Sequence, residues 1–281
     1  MTINNCQNLG SLPQYLHMLS HLTQLKIRNS TVEIEDFPPL PITLSSLEFS
    51  YCSKIKSIAS CNITNCNNLT ELQIWDCPAL EIEEFPPLPI TLRSLLLWEC
   101  PMIKSLPNQW HHLTSLEKIE IILCQNIKRF PKGGLPPKLR DLSIWGLVNL
   151  EQPAREWGLH LLTSLERLCA YFNMAGDGEE WFPSEEEDAW SLLFPSSLTF
   201  LSIFHLRNVE RLSSGLHNHL SSLRWLLIDD CPKLRYLPED GFPPSLQQLR
   251  IFRCEILKER CSKYTGDYWR LIQEIPEIWI D

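Results

Sequence analysis

Apolar positions along this chain follow a recurring pattern, L-x-x-L-x-I-x-x-C, in which two large aliphatic residues alternate with variable ones and a cysteine closes the copy. Taking the second leucine-like residue as the anchor, copies fall at Leu25, Leu47, Leu72, Leu95, Ile119, Leu142, Leu168, Leu201, Leu226 and Leu249. The aliphatic pair of each copy, such as Leu72 and Ile74, has the period of two that a short strand with one buried face requires. Ten strands are therefore predicted. Anchors two copies apart are separated by 47 residues (Leu25 to Leu72, Leu72 to Ile119) or 48 (Leu47 to Leu95, Leu201 to Leu249), so the true unit is a pair of repeats. Only the steps flanking residues 173–193 run longer.

One such unit cannot bury its apolar edge alone, so neighbouring units must stack into a parallel sheet lining the inside of a curved solenoid. The spacers set the outer side. Before Leu47, Leu95, Leu142, Leu201 and Leu249 they carry Phe37-Pro38-Pro39, Phe85-Pro86-Pro87, Leu135-Pro136-Pro137, Phe194-Pro195 and Phe242-Pro243-Pro244, whose prolines remove amide donors and favour an extended path. Before Leu25, Ile119, Leu168 and Leu226 they read as one or two helical turns. The spacer before Leu72, residues 58–68, holds four asparagines and Thr64, weak helix formers, and is expected to be an irregular loop. The fold class is an α/β solenoid: a leucine-rich-repeat horseshoe with a parallel β-sheet on the concave face. Short-helix and extended proline-rich spacers alternate on its convex face.

Composition narrows the function. The chain has 281 residues and a formal charge of −9, but seven acids, from Asp177 to Asp188, lie in one stretch and the remainder is close to neutral. No basic stripe of the kind that tracks a phosphate backbone is present, which argues against a nucleic-acid partner. No signal-peptide-like start or membrane-length apolar run occurs, so a cytoplasmic location, with the nucleus as a second compartment, is the expectation. Of eleven cysteines, Cys6, Cys52, Cys77, Cys100, Cys124, Cys231 and Cys254 take the ninth repeat position, which reads as a buried structural column and not a disulfide framework. Cys61 and Cys66 match no usual zinc spacing. The nucleotide-cradling G-x-x-x-x-G-K-[ST] loop, the G-x-S-x-G elbow and the H-E-x-x-H pair are missing, so no enzyme, catalytic residue, metal or cofactor is expected in this chain.

The residues between and just after the two buried strand positions should face the concave cavity. Just past the second buried position stand Arg28, Ser50, Trp75, Trp98, Ile122, Trp145, Tyr171, Phe204, Asp229 and Phe252. With strands about 4.8 Å apart, Trp75 and Trp98 should touch, and Trp145, Tyr171 and Phe204 should form a second stretch. Such an apolar ladder either stabilises the sheet by self-stacking or marks a binding surface. The candidate partner-binding residues are Trp75, Trp98, Ile122, Trp145, Tyr171, Phe204 and Phe252, with Arg250, Glu71 and Glu99 among flanking charges that include Asp76, Lys118, Arg167 and Arg253. The insertion from Asn173 to Leu193, with Trp181, Phe182 and Trp190 among its acids, reads either as a projecting recognition loop or as a solvated charge run.

The segments Pro243-Pro244-Ser245-Leu246-Gln247-Gln248-Leu249-Arg250-Ile251 and Asp230-Cys231-Pro232-Lys233-Leu234, with the tail from Leu257-Lys258-Glu259-Arg260-Cys261 through Gly266 and Trp269 to Ile275-Pro276 and Asp281, carry a resemblance. They resemble the C-terminal part of plant intracellular disease resistance proteins of the coiled-coil, nucleotide-binding, leucine-rich-repeat class. The resemblance implies a domain that senses a pathogen effector or a modified host protein and that, in a full receptor, holds the nucleotide-binding module inactive. ADP or ATP would bind only in that module, which this chain does not contain. A stand-alone scaffold, such as a substrate receptor of a ubiquitin ligase, is the alternative. Residues 1–256 are read as the solenoid, about ten repeats after a partial first one at Ile3 to Leu12, and residues 257–281 as a cap closing on Leu257, Tyr264, Trp269 and Ile272. Met1 falling inside a repeat suggests the C-terminal part of something longer.

Overall fold

Every anchor lies on a strand. The computed structural model describes residues 1–6, 12–31, 37–108, 110–172, 180–186 and 188–281. In chain order its strands are β1 (Thr2–Asn4), β2 (Gln24–Arg28), β3 (Ser46–Ser50), β4 (Glu71–Trp75), β5 (Ser94–Trp98), β6 (Lys118–Ile122), β7 (Asp141–Trp145), β8 (Arg167–Tyr171), β9 (Trp181–Phe182), β10 (Phe200–Phe204), β11 (Arg211–Leu212), β12 (Trp225–Asp229), β13 (Gln248–Phe252) and β14 (Glu277–Ile280). Among the described residues four short α-helices accompany them: α1 (Ala189–Leu193), α2 (Leu216–His219), α3 (Glu255–Arg260) and α4 (Trp269–Ile272). The chain divides into two compact units, residues 1–139 with 144–150, and 140–143 with 151–281.

In the first unit the anchors Leu25, Leu47, Leu72, Leu95 and Ile119 are register partners across parallel strands β2 to β6, and β1 joins through Ile3 opposite Ile27. In the second, Leu168, Leu201, Leu226 and Leu249 pair in the same way across β8, β10, β12 and β13. All nine anchors named here are at most 1% exposed. Burying one such side chain contributes about 2 kcal/mol, and because the register is the same at each step, every turn supplies the wall its neighbour lacks.

At six of the seven expected cysteines the ninth position closes the turn; Cys6, expected in the same buried column, is partly exposed. Cys52, Cys77, Cys100, Cys124, Cys231 and Cys254 are fully buried. Each Sγ donates to the carbonyl two residues back, at 3.1 to 3.5 Å, as from Cys254 to Phe252 and from Cys124 to Ile122. The residue before each cysteine does something the repeat pattern does not advertise: it turns left-handed. Tyr51, Asp76, Glu99, Leu123, Asp230 and Arg253 have φ between 43° and 55°. This rotation aims their amides at the end of the next strand, so Asp76 donates to the Trp98 carbonyl (2.8 Å), Glu99 to Ile122 (2.9 Å) and Leu123 to Trp145 (3.0 Å). The sheet's hydrogen bonding is thereby carried past the strand, which offsets the roughly 1 kcal/mol a non-glycine residue loses in this conformation. Gly146 occupies the same position at φ +71°, where a Cβ would fall 2.5 Å from Leu123 Cδ2.

Four of the proline spacers are free of helix among the described residues, but the one before Leu201 carries α1 directly ahead of Phe194-Pro195, a departure from the expected extended path; short helical turns occupy the alternate slots at Leu16–Met18, Trp110–His112, Ala154–Glu156, Leu159–Leu161 and α2. Residues 58–68 depart from the expected irregular loop. They form two single 3₁₀ turns, Ala59–Cys61 and Ile63–Asn65, joined by Asn62 at φ 50°, ψ 42°. Asparagine disfavours a continuous helix yet tolerates the left-handed link, so two turns replace one.

The insertion is neither a projecting recognition loop nor a solvated run where it is described; residues 173–179 and 187 lie outside the described set. Phe182 and Trp190 are at most 1% exposed. They pack with Phe172 and Phe194 at centroid distances of 5.1 to 6.0 Å, while β9 pairs with β11 in a small parallel sheet of its own. The aromatics are core because the longer spacer brings its own apolar surface to bury. The tail also differs in detail. Leu257 and Ile272 are buried as expected, with Cys261 also in the core, but Trp269 is partly exposed and Tyr264 is 79% exposed. The tail ends in β14, parallel to β13, with Ile278 opposite Leu249.

None of the eleven cysteines forms a disulfide. Burial pushes the thiols of Cys61 and Cys261 up to about 12 and that of Cys66 up to about 11. Only Cys6 and Cys169 are more than marginally accessible. A thiol-reactive dye applied to the native protein at pH 8 is expected to label those two cysteines rapidly and the rest only after denaturation, as read by peptide mass mapping. Rapid labelling of Cys77 or Cys100 would contradict the closed column.

Candidate functional site

The anchors leave the first, third and fifth residues of each strand on the sheet's other face, the open face. In the first unit the fifth positions of β4 and β5 are Trp75 and Trp98, which are register partners and stack with centroids 5.1 Å apart and planes 14° from parallel. Trp145, at the end of β7, meets Trp98 edge-on at 6.2 Å. Between them in register lies Ile122: it pairs with Trp98, and Leu123 N–H reaches the Trp145 carbonyl. The two indoles close over it, leaving Ile122 4% exposed. Ile122 is therefore the floor of the aromatic cluster, not part of its contact surface, a correction to its expected place among the contact residues. The three tryptophans each remain partly exposed.

Charged groups border this cluster. Glu48, in the middle of β3, receives a two-pronged hydrogen bond from Arg28 (2.6 and 2.7 Å), a third from the Ser50 hydroxyl (3.1 Å), and has Lys26 Nζ 3.5 Å away. Glu71 and Glu99 are exposed and form no ion pair among the described residues. Acids dominate this rim.

The second unit presents two aromatic rows. Tyr171 stacks on its register partner Phe204 at 5.8 Å. Next along the fifth positions come Asp229, held by both arms of Arg253 (Nε to Oδ1, 2.7 Å), and Phe252, partly exposed. The first positions form the other row: Phe200 and Trp225 lie 6.0 Å apart, and the Arg167 guanidinium sits 4.4 Å above the Phe200 ring. Trp225 is 44% exposed. This row was absent from the sequence expectation, although the period of two that selects the fifth position selects the first as well. Arg250, at the third position of β13, is exposed.

For Glu48, burial opposes ionisation, but the Arg28 hydrogen bond and charge, the Ser50 hydroxyl and Lys26 outweigh it and hold the carboxyl below its ordinary value of 4.5. A carboxyl depressed on folding contributes stability that is present above its unfolded pKa and lost as pH falls through the folded one. Thermal midpoints measured downward from pH 6 should therefore fall below about pH 4.5, and Glu48→Gln should flatten part of that slope. Identical slopes would remove Glu48 from the account.

No protein-family model matches the chain. Over 167 residues it is 32% identical to probable disease resistance protein RF45 and, to the same extent, to probable disease resistance protein RDL5, both of Arabidopsis thaliana. The match takes in 58% of this chain and 15% of each relative, so the chain spans a small part of their length. Among solved structures, a chain from the octameric complex of Latrophilin 3, Unc5D and the FLRT2 leucine-rich repeat superposes with a TM-score of 0.54 at 16% identity, covering 89% of this chain and 74% of that one. This last likeness establishes the fold alone. Ladder and sequence together identify the chain as a leucine-rich-repeat region similar to part of the plant disease resistance proteins.

Proposed function

We propose that the chain is the protein-recognition region of a plant intracellular immune receptor, sensing a pathogen effector or a modified host protein through the open face of its ladder. The observation that carries this reading is the Trp75, Trp98 and Trp145 cluster: three partly exposed indoles on a face that the buried anchors do not need for folding. Tryptophan dominates the energetics of protein interfaces, and a fixed row of rings presents contact area at little cost in side-chain entropy. The likeness to disease resistance proteins supports the immune setting. In a full receptor the same face would also hold the nucleotide-binding module, and a ligand would release it by favouring the undocked state. Nucleotide would bind in that module, and this region would act by binding without catalysis in the cytoplasm. Among the described residues no helix is long and apolar enough to cross a membrane.

The test is proximity labelling in leaf cells before and after pathogen challenge, comparing the chain with its Trp75→Ala, Trp98→Ala, Trp145→Ala variant. The expected result is a labelled protein that binds the purified wild-type chain directly and binds the triple variant at least about tenfold more weakly, as loss of buried aromatic anchors implies. Direct binding that is equal for the two forms would contradict the reading.

A further inference from the structure

Ser202 stands in the middle of β10, on the open face of the second unit, with Cys169 and Leu227 as its register partners. It is 0% exposed, and its hydroxyl has no hydrogen-bond partner. A buried hydroxyl left unpaired carries its full desolvation penalty, and nothing in the ladder calls for a hydroxyl here: the third position is Leu96 in β5 and Leu227 in β12. The residues two positions either side on the same face are Phe200 and Phe204, each one member of an aromatic row. All four rings, Tyr171, Phe204, Phe200 and Trp225, are partly exposed or more. Exposed side chains change rotamer on fast timescales, and Phe200 and Phe204 flank the hydroxyl along its own strand face.

The charges around this spot are unequal. Arg167 lies over Phe200 with its side chain 53% exposed, sharing only a 3.5 Å contact with Asp141. Arg250 is exposed and forms no ion pair among the described residues. The acids of the same face are engaged: Asp229 by Arg253, and Glu277 by the Gln248 amide. An aromatic floor, a hydroxyl donor without an acceptor and two arginines at the rim form one chemical pattern.

We propose that the open face of the second unit binds an acidic protein segment, an Asp or Glu flanked by apolar residues. The carboxylate takes hydrogen bonds from the Ser202 hydroxyl and Arg167, with Arg250 adding charge, while the flanking apolar groups lie on the two aromatic rows. This rests on the recognition reading above and assigns it a ligand chemistry. The exposed Arg167 and Asp141 pair is worth little and can be exchanged for the incoming carboxylate. A polynucleotide fits less well, because Asp141, Asp229, Asp230 and Glu277 share the region with the arginines.

The test uses short synthetic peptides with Asp or Glu set among Leu and Phe, a matched set with Asn or Gln, and the purified full chain. Acidic peptides should bind at least about tenfold more tightly than amide ones. Arg167→Ala and Arg250→Ala should each weaken them several-fold, and Tyr15→Ala, at an exposed residue outside both aromatic clusters, should leave them unchanged. Ser202→Ala separates a ligand role from a structural one: it should weaken peptide binding yet raise the thermal midpoint, because it removes an unpaired hydroxyl. Equal binding of both peptide sets, no binding of either, displacement by polyuridine, or a lowered midpoint for Ser202→Ala with binding intact would each overturn the inference. Peptides lost with Trp98→Ala but not with Arg167→Ala would overturn it while leaving the recognition reading standing.

Discussion

The structure depends on one constraint: a short strand with a single buried face must find its other wall in the next copy of itself. Leu72 between Leu47 and Leu95, or Leu226 between Leu201 and Leu249, is fully enclosed only because both neighbours stand in the same register. A slip of one residue would turn each anchor out and each open-face residue in. The left-handed residue after the strand and the thiol behind it serve that register. One sends an amide to the next strand, and the other ties off the turn's own carbonyl.

Because anchors and cysteines set the register and close the turns, the open face can vary at modest cost to the fold. In the first unit that freedom is spent on three indoles beside an acid-rich rim, and in the second on two rows of rings beside arginines. The ion pairs on this face have different characters. The Arg28 and Glu48 pair has a nearly enclosed carboxylate, its side chain 9% exposed, and acts as a fixed support. The Arg167 and Asp141 pair is loose and solvated, with side chains 53% and 26% exposed, and is available for exchange with a partner.

What could be read in advance was what repeats. The anchors, the cysteine column and the proline spacers recur at fixed intervals, and periodicity encodes a local rule obeyed many times. What could not be read was decided by particular neighbours. Leu123 takes a left-handed conformation for its place in the turn, although nothing in leucine favours it. Ile122 occupies an open-face position but is covered by two rings from flanking strands, a property of its neighbours' size and not of its own slot. Trp190 and Phe182 were legible as aromatics in an acidic insertion, but their burial depends on Phe172 and Phe194, brought together only by the folded spacer. The Phe200 and Trp225 row obeys the same period of two as the fifth-position row, shifted to the first strand position, and is equally legible in the sequence. Strand β14 had a signal in the alternating Ile278 and Ile280.

The central claim is that the open-face rings are not what holds the ladder together. It is tested most directly by replacing Trp75, Trp98, Tyr171 and Phe204 together with threonine, which keeps β-propensity while removing the rings, and following far-UV circular dichroism through thermal unfolding. The account predicts a native-like spectrum and a single cooperative transition at a modestly lower temperature. Loss of the spectrum or of cooperativity would show that ring stacking builds the sheet, and the recognition face would then have to be sought elsewhere on the molecule.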